Sequence, residues 1–174
     1  MSAAPERLMR ILRRHVSDQR VLDAIATVPR DRFVPPDLQA DAWDNIPLPI
    51  GSGQTISQPL VVARMCELLE LTGTETVLDV GTGSGYHAAL LARLARHVYS
   101  IEVHEPLSRG AAESLRAADV TNVTLCVGDG SRGLPEHAPY EAINVAAAAG
   151  GSSRRWRTAS SASSSPAAPT RAWR

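Results

Sequence analysis

The stretch from Thr76 to Glu102 constrains the fold more than any other part of the chain. It begins with the apolar run 76–80 and passes through the glycine-rich segment 81–85 into an Ala/Leu-rich segment, 86–96. A second apolar run then ends at Glu102. This order is typical of the βαβ unit that binds a nucleoside-bearing cofactor: a buried strand, a glycine turn, a helix, a second strand and a terminal acid. The stretch therefore predicts an α/β fold with a mostly parallel sheet.

The spacing of the glycines bears on which cofactor the turn can hold. Glycines at 81, 83 and 85 allow a tight turn and a close approach of the backbone to a ligand. Glu102 follows at the distance where a carboxylate can accept hydrogen bonds from ribose hydroxyls. Asp79, just before the turn, would repel a pyrophosphate but suits the ammonium of a methionine moiety. This favours S-adenosylmethionine over NAD; the alternative role for Asp79 is to cap the turn at the strand end.

Two amphipathic helices are predicted before this unit, followed by a loop and a third helix. Residues 5–16 carry apolar side chains at helical spacing, and Ser17 or Asp18 can cap the second helix, which Pro29 ends. Segment 30–36 reads as a stiff connector and segment 44–59 as a loop. Ser57 is expected to begin the third helix, with Val61 and Met65 turned inward. Its hydroxyl either caps that helix or faces an anion at the helix N-terminus.

A helix over 106–118 and strands over 123–127 and 140–145 are predicted after the nucleotide unit. Asp129, between two glycines at a strand end, could accept a hydrogen bond from an adenine amine or could simply be a turn residue. The small residues at 146–151 would leave room for a ligand.

Charge and composition narrow the class of protein. All 18 acidic residues precede Ser152, whereas five of the 18 basic residues, all of them Arg, follow it. The acidic body of the chain argues against a nucleic-acid partner.

No run has transmembrane length and no signal-peptide pattern opens the chain, so we expect a cytoplasmic protein with reduced Cys66 and Cys126. The histidines show no metal-ligand spacing, so no metal site is predicted.

The residues after Gly151 differ in character from the rest. They are mainly Ser, Ala, Arg and Pro, with two Thr, two Trp and no aliphatic side chain larger than Ala. This composition predicts a disordered tail that supplies no strand to a parallel sheet. It is typical of a shifted reading frame or a decayed end, and we expect the sheet to lack its last strands. The predicted division is a helical cap and loop over 1–52, a cofactor-binding core over 53–151 and the tail over 152–174.

Several motifs together resemble protein-L-isoaspartate O-methyltransferases. They are Gly53-Gln54-Thr55-Ile56-Ser57-Gln58-Pro59, Val77-Leu78-Asp79-Val80-Gly81-Thr82-Gly83-Ser84-Gly85-Tyr86 and Val127-Gly128-Asp129-Gly130. The connector 28–35 and the strand near 139–143 are similar as well. Most class I methyltransferases share the glycine motif, whereas the segment 53–59 is much more specific to this family. The resemblance covers about residues 5–151.

The resemblance implies roles for individual residues. Ser57 would be the active-site serine, and Thr55 and Ile56 would form the wall between cofactor and substrate. Asp79, Gly81, Ser84 and Gly85 would hold the methionine end of the cofactor. Glu102 would hold the ribose, and Asp129 with Gly130 the adenine. The other residues expected in the cofactor site are Gln54, Thr82, Gly83 and Val103.

The resemblance implies a Rossmann-like class I fold and S-adenosylmethionine-dependent methylation of the α-carboxylate of L-isoaspartyl residues, a step in protein repair. The expected partners are isoaspartyl proteins and peptides, and the chain is expected to be a monomer. Three alternatives stay open: a cofactor-binding fragment without turnover, a methyltransferase that esterifies a specific Asp in a peptide, and an NAD-binding oxidoreductase.

Overall fold

The computed structural model describes residues 3–146 and 171–173. The helices are α1 (Ala3–Leu12), α2 (Gln19–Thr27), α3 (Pro59–Leu68), α4 (Tyr86–Leu94) and α5 (Glu105–Ala117). The strands are β1 (Leu48–Gly51), β2 (Gln54–Ile56), β3 (Thr76–Val80), β4 (His97–Glu102), β5 (Val123–Val127), β6 (Ala142–Val145) and β7 (Arg171–Trp173). Short 3-10 helices cover Arg30–Phe33, Pro36–Asp41, Gly130–Arg132 and Pro135–His137.

The main sheet has the strand order β5-β4-β3-β6-β7, and every neighbouring pair is parallel. From β3 the chain moves outward to β4 and β5, then returns to place β6 on the other side of β3. The order therefore reverses between β3 and β6. In open α/β sheets the ligand crevice lies outside the carboxyl ends of the strands at such a point. The predicted α/β fold with a parallel sheet is confirmed.

Most of the core lies on one face of this sheet. The Ala/Leu-rich α4 is buried on almost every side because the sheet and its neighbours α2, α3 and α5 surround it. A smaller cluster lies on the opposite face of the sheet; its members are Leu78, Val80, Ile101, Leu134 and Ile143. Helices on both sides of α4 thus hold the glycine turn, which precedes it, in a fixed place.

Both predicted N-terminal helices are present, but α1 ends at Leu12, before the predicted end of its apolar segment at Val16. Asp18 caps α2, accepting a hydrogen bond from the backbone N–H of Arg20 at 2.8 Å, so of the two predicted caps it is the one used. The predicted stiff connector 30–36 contains a 3-10 helix and the start of another. Val61 is 46% exposed, and Val62 and Cys66 are buried on α3 instead, so the predicted inward face of this helix is wrong at Val61.

The loop predicted over 44–59 is wrong at seven residues. β1 and β2 form an antiparallel hairpin there, with Leu48 opposite Ile56. Ser52 and Gly53 both have positive φ, +50° and +68°, which suits the twist of a tight two-residue hairpin turn. The prolines in this stretch obscured the strand pattern, but proline is tolerated in an edge strand such as β1.

The C-terminal segment contributes a short strand. β7 runs parallel to β6, with Ala142 opposite Arg171. The prediction that the tail supplies no strand is wrong at these three residues, because sheet pairing uses backbone groups and the outer edge of β6 offers an open row of them. The predicted disorder at 152–170 and the small-residue run at 147–151 lie outside the described residues. Among the residues that are described, no helix has the length and apolar content needed to cross a bilayer.

Candidate active site

The glycine turn lies at the carboxyl ends of β3 and β4. The backbone N–H of Gly81 donates to the carbonyl of Ile101 at 2.9 Å, which fastens the start of the turn to β4. Gly85 ends the turn in the left-handed region, with φ +87°, and α4 begins at the next residue. The turn therefore opens toward the crevice at the reversal of strand order.

Glu102 binds the glycine turn directly. One carboxylate oxygen accepts from the backbone N–H of Gly83 at 2.9 Å, and the other accepts from the N–H of His104 at 3.0 Å. Each oxygen keeps a lone pair for a further donor, such as a ribose hydroxyl. The structure thus brings together the turn and the acid that the sequence separates by nineteen residues.

Asp79 lies below the turn rather than on its surface. Its side chain is 0% exposed, and its two oxygens accept from Ser100 Oγ and Asn144 Nδ2, each at 2.7 Å. Strand register explains the trio, because Asp79 stands opposite Ser100 on β4 and opposite Asn144 on β6. This burial does not support the expected direct contact of Asp79 with a ligand ammonium.

The Asp79 network extends to both sides of the turn. Ser100 Oγ lies 2.6 Å from the hydroxyl of the buried Thr82, and Asn144 Nδ2 lies 3.3 Å from Nδ1 of His87 on α4. Burial raises the pKa of Asp79 to about 6, and the charge of Glu102 adds to the rise, while hydrogen bonds from Asn144 and Ser100 oppose it. Burial lowers the pKa of His87 to about 4. At neutral pH the network therefore contains an ionised Asp79 and a neutral His87.

The turn after β5 lies against the ends of β3 and β4. A Cβ at Gly130 would lie 2.5 Å from Val80 Cγ1, so only glycine fits this contact. Asp129 is exposed, and hydrogen bonds from the Ser131 side chain and from the Ser131 backbone N–H, the latter at 2.9 Å, lower the pKa of its carboxyl group. Val103 and Val127, beside Glu102 at the same edge of the sheet, are 63% and 57% exposed. They offer apolar surface on which a flat base can stack.

The hairpin that precedes Ser57 packs onto the glycine turn. Ile50 Cδ1 lies 3.3 Å from the position of a Cβ on Gly83. Ile56 is buried, while Gln54 and Thr55 are exposed on the same strand. The predicted loop and the predicted turn are therefore neighbours.

Ser57 lies between β2 and α3. It is half-buried, and the helix N-cap is Gln58, so the expectation that Ser57 caps α3 is wrong. Pro59 takes the first helical position, a place that proline favours, and this moves the start of the helix past Ser57. The Ser57 carbonyl accepts from Arg30 Nη2 at 3.0 Å.

Four residues of this region were missed from the sequence: Ser100, Asn144, His87 and Arg30. Ser100 and Asn144 sit inside apolar strands, where a lone polar residue carries no motif. His87 and Arg30 belong to segments that were recognised, but their partners are distant in sequence.

Of the predicted residues, Ser84 lies in the turn, where its Oγ is 3.4 Å from the backbone nitrogen of Tyr86. Within the described ranges, no group of three His, Cys, Asp or Glu side chains is placed to hold a metal ion.

Comparison with known proteins identifies the family. The sequence profile of the protein-L-isoaspartate(D-aspartate) O-methyltransferase family matches residues 3–158, which is most of the chain. The chain belongs to this family. The predicted resemblance is confirmed, and it extends through the hairpin, the glycine turn and the 128–130 turn.

Curated relatives agree with this membership. A protein-L-isoaspartate O-methyltransferase of Synechococcus sp. (strain JA-2-3B'a(2-13)) is 54% identical over 79% of this chain and 57% of its own length. One from Anaeromyxobacter dehalogenans (strain 2CP-1 / ATCC BAA-258) is 58% identical over 77% of this chain and 65% of its own length. The chain thus spans less than two-thirds of either relative.

Solved structures support the same fold. A protein-L-isoaspartate O-methyltransferase matches 81% of this chain and 47% of its own with a TM-score of 0.73 and 29% identity. A β-aspartate methyltransferase from Plasmodium falciparum, solved with S-adenosyl-L-homocysteine, matches 80% of this chain and 71% of its own with a TM-score of 0.69 and 21% identity. The Rossmann-like class I methyltransferase fold is therefore confirmed.

Proposed function

We propose that this chain binds S-adenosylmethionine at the glycine turn and transfers a methyl group to the α-carboxylate of L-isoaspartyl residues. The observation that carries the proposal is the meeting of the Ser57 hairpin with the turn, through Ile50 and Gly83, in a chain of this family. The residues present fit the cofactor. Glu102 has lone pairs for the ribose, and Val103 with Val127 offers an apolar edge for the adenine.

Asp79 takes a different part in this proposal from the one the motif first indicated. Its ionised carboxylate supports the turn from below through Ser100 and Thr82. It also places a negative charge beneath the end of the crevice where a methionine ammonium would lie. Gly81, Ser84 and Gly85 form the surface of the turn itself, and Asp129 with Gly130 borders the adenine.

The chemistry asks little of the protein beyond alignment. S-adenosylmethionine supplies, when bound, an electrophilic methyl group on its sulfonium. A substrate α-carboxylate has a pKa near 3.5 and is already ionised at neutral pH, so no general base is needed. Ser57 is proposed to orient this carboxylate by a hydrogen bond, without becoming a nucleophile. The hairpin excludes water from the reacting atoms.

Methyl transfer to an isoaspartyl peptide tests the function. Wild-type protein should transfer labelled methyl to the isoaspartyl form and not to the matched aspartyl peptide. Ser57→Ala should lower kcat about tenfold, the effect of losing one orienting hydrogen bond, with unchanged affinity for S-adenosylhomocysteine. Ser114→Ala on α5 is the control and should leave kcat unchanged. Cofactor binding without any transfer by the wild type would instead indicate a binding fragment.

Glu102 provides the test of the cofactor site. Glu102→Gln removes the charge that attracts ribose hydroxyls and should weaken binding of S-adenosylhomocysteine about tenfold, as measured by calorimetry. Glu105→Gln is the matched control, because Glu105 is exposed on α5 and lies 3.9 Å from Arg109. Equal affinities for the two variants would contradict the assignment. Tight binding of NAD instead would favour the oxidoreductase alternative.

Substrate range and cellular setting belong to the same proposal. The acidic body of the chain supports protein rather than nucleic-acid substrates. Methyl transfer to isoaspartyl peptides can be compared with transfer to peptides that carry one esterifiable Asp. This comparison distinguishes protein repair from the modification of a specific peptide. A monomer acting in the cytoplasm stays our prediction.

A further inference from the structure

We propose that Arg30 is a positioning residue that holds the Ser57 loop in register with the helix that follows the glycine turn. The inference rests on the proposed function, because it concerns how the two halves of that site are aligned. Arg30 itself contacts neither the glycine turn nor the Ser57 side chain in the described contacts.

The Arg30 guanidinium joins three separate segments. Its Nε donates to the carbonyl of Ala42 at 2.8 Å, and its Nη2 donates to the carbonyl of Ser57 at 3.0 Å. Its central carbon lies 4.9 Å from the centre of the Tyr86 ring. Tyr86 is the first residue of α4 and directly follows Gly85. One side chain thus connects the backbone of Ser57 to the end of the glycine turn.

The burial of Arg30 supports a specific role over general packing. The side chain is 0% exposed and no carboxylate among the described residues pairs with it; burial lowers its pKa. A buried cation without a counter-ion is costly, and an apolar side chain would fill the same space at lower cost. Its fixed fork can meet two carbonyls and a ring together, which an apolar side chain cannot do.

Other contacts hold the chain on either side of Ser57, whereas Arg30 holds the Ser57 carbonyl itself. Asn45 Oδ1 accepts from the N–H of Leu60 at 3.0 Å, which fastens the first turn of α3. Ile50 fastens the other end of the hairpin to Gly83. Between these two points, the Ser57 carbonyl is held by Arg30. Loss of Arg30 should therefore loosen Ser57 while leaving the hairpin and α3 in place.

Hydrogen–deuterium exchange tests this without requiring turnover. Arg30→Lys retains the charge but cannot reach both carbonyls, so exchange in a peptide covering 54–62 should rise about tenfold. Arg20→Lys is the control, because Arg20 likewise donates to two carbonyls, those of Leu71 and Leu94, far from Ser57 in the chain. It should leave exchange at 54–62 unchanged. Equal exchange in this peptide for wild type and Arg30→Lys would overturn the proposal.

Kinetics and a second variant complete the test. In Arg30→Lys, kcat should fall three- to tenfold, because one orienting contact is lost. The Kd for S-adenosylhomocysteine should stay unchanged. A loss of cofactor affinity without a fall in kcat would overturn the proposal. If Arg30→Lys fails to fold, Tyr86→Leu is the second variant. It removes the ring next to the guanidinium but keeps both carbonyl acceptors, those of Ala42 and Ser57, and it must raise hydrogen–deuterium exchange in the peptide 54–62. If the wild type shows no methyl transfer, the proposed function fails, and exchange still decides the role of Arg30.

Discussion

Asp79→Asn is expected to raise the free energy of unfolding at pH 8 by about 2–3 kcal/mol. The Asp79 carboxylate is fully buried, and its pKa is raised from 3.8 to about 6. Each pH unit between these two values corresponds to about 1.4 kcal/mol of stability. An asparagine fills the same space without a charge to desolvate. Asn144 can turn its amide to present oxygen to the new amide group, and His87 can then donate to that oxygen from Nδ1 as its other tautomer, so the network stays satisfied.

The sign of the pH dependence follows from the raised pKa. Between pH 3.8 and about 6, unfolded Asp79 is ionised while folded Asp79 keeps its proton, so the wild type loses stability as the pH rises. Above about pH 6 both states are ionised and the loss is complete. The advantage of Asp79→Asn should therefore grow from pH 4 to pH 6 and then remain constant. His87, with its pKa near 4, affects both proteins alike.

Urea denaturation of both proteins between pH 4 and pH 8 measures this difference. Asp23→Asn is the control, because Asp23 is exposed on α2 and lies outside the buried Asp79 network. The same Asp79→Asn protein should bind S-adenosylhomocysteine more weakly, since it lacks the charge beneath the turn. A buried charge that lowers stability is typical of functional sites. An Asp79→Asn protein no more stable than wild type at pH 8 would contradict the argument.

Gly85→Ala is expected to lower the free energy of unfolding by about 2–4 kcal/mol. A side chain at φ +87° costs about 1–2 kcal/mol. The new Cβ would also lie 3.1 Å from the Cβ of Ala111 and 3.4 Å from its Cα, and such overpacking costs about 1–3 kcal/mol. The backbone of α5 cannot move away without disturbing its packing against α4 and β5. The glycine turn should deform first, so affinity for S-adenosylhomocysteine should fall as well.

Gly110→Ala is the matched control for this substitution. Gly110 lies within α5, near the same contact, but a Cβ there meets nothing within 4 Å. Alanine should raise stability by about 0.5–1 kcal/mol, because it restricts the unfolded chain and favours the helix. Thermal and urea denaturation should thus show opposite signs for the two variants. The same sign for both would mean that close packing at Gly85 does not control stability.

Short-range patterns predicted the parts of the fold that depend on local chemistry. The βαβ unit followed from an apolar run, glycines at alternate positions and an Ala/Leu-rich segment, all contiguous in the sequence. The cap of α2 was narrowed to Ser17 or Asp18 by their place before an amphipathic segment, and the structure shows Asp18 in that role. The hairpin at 48–56 escaped prediction because prolines and glycines are typical of loops as well as of tight hairpins.

The sequence alone determined that Gly81, Gly83 and Gly85 form a tight turn between a strand and a helix, that Glu102 ends the next strand, and that the chain belongs with isoaspartyl methyltransferases. Only the tertiary structure decided what Asp79 and Arg30 contact. Strand register places Ser100 and Asn144 on either side of Asp79, and the fold of the N-terminal segment brings Arg30 to Ser57. These contacts join residues 21 to 65 positions apart, and no local preference of the chain encodes such pairings.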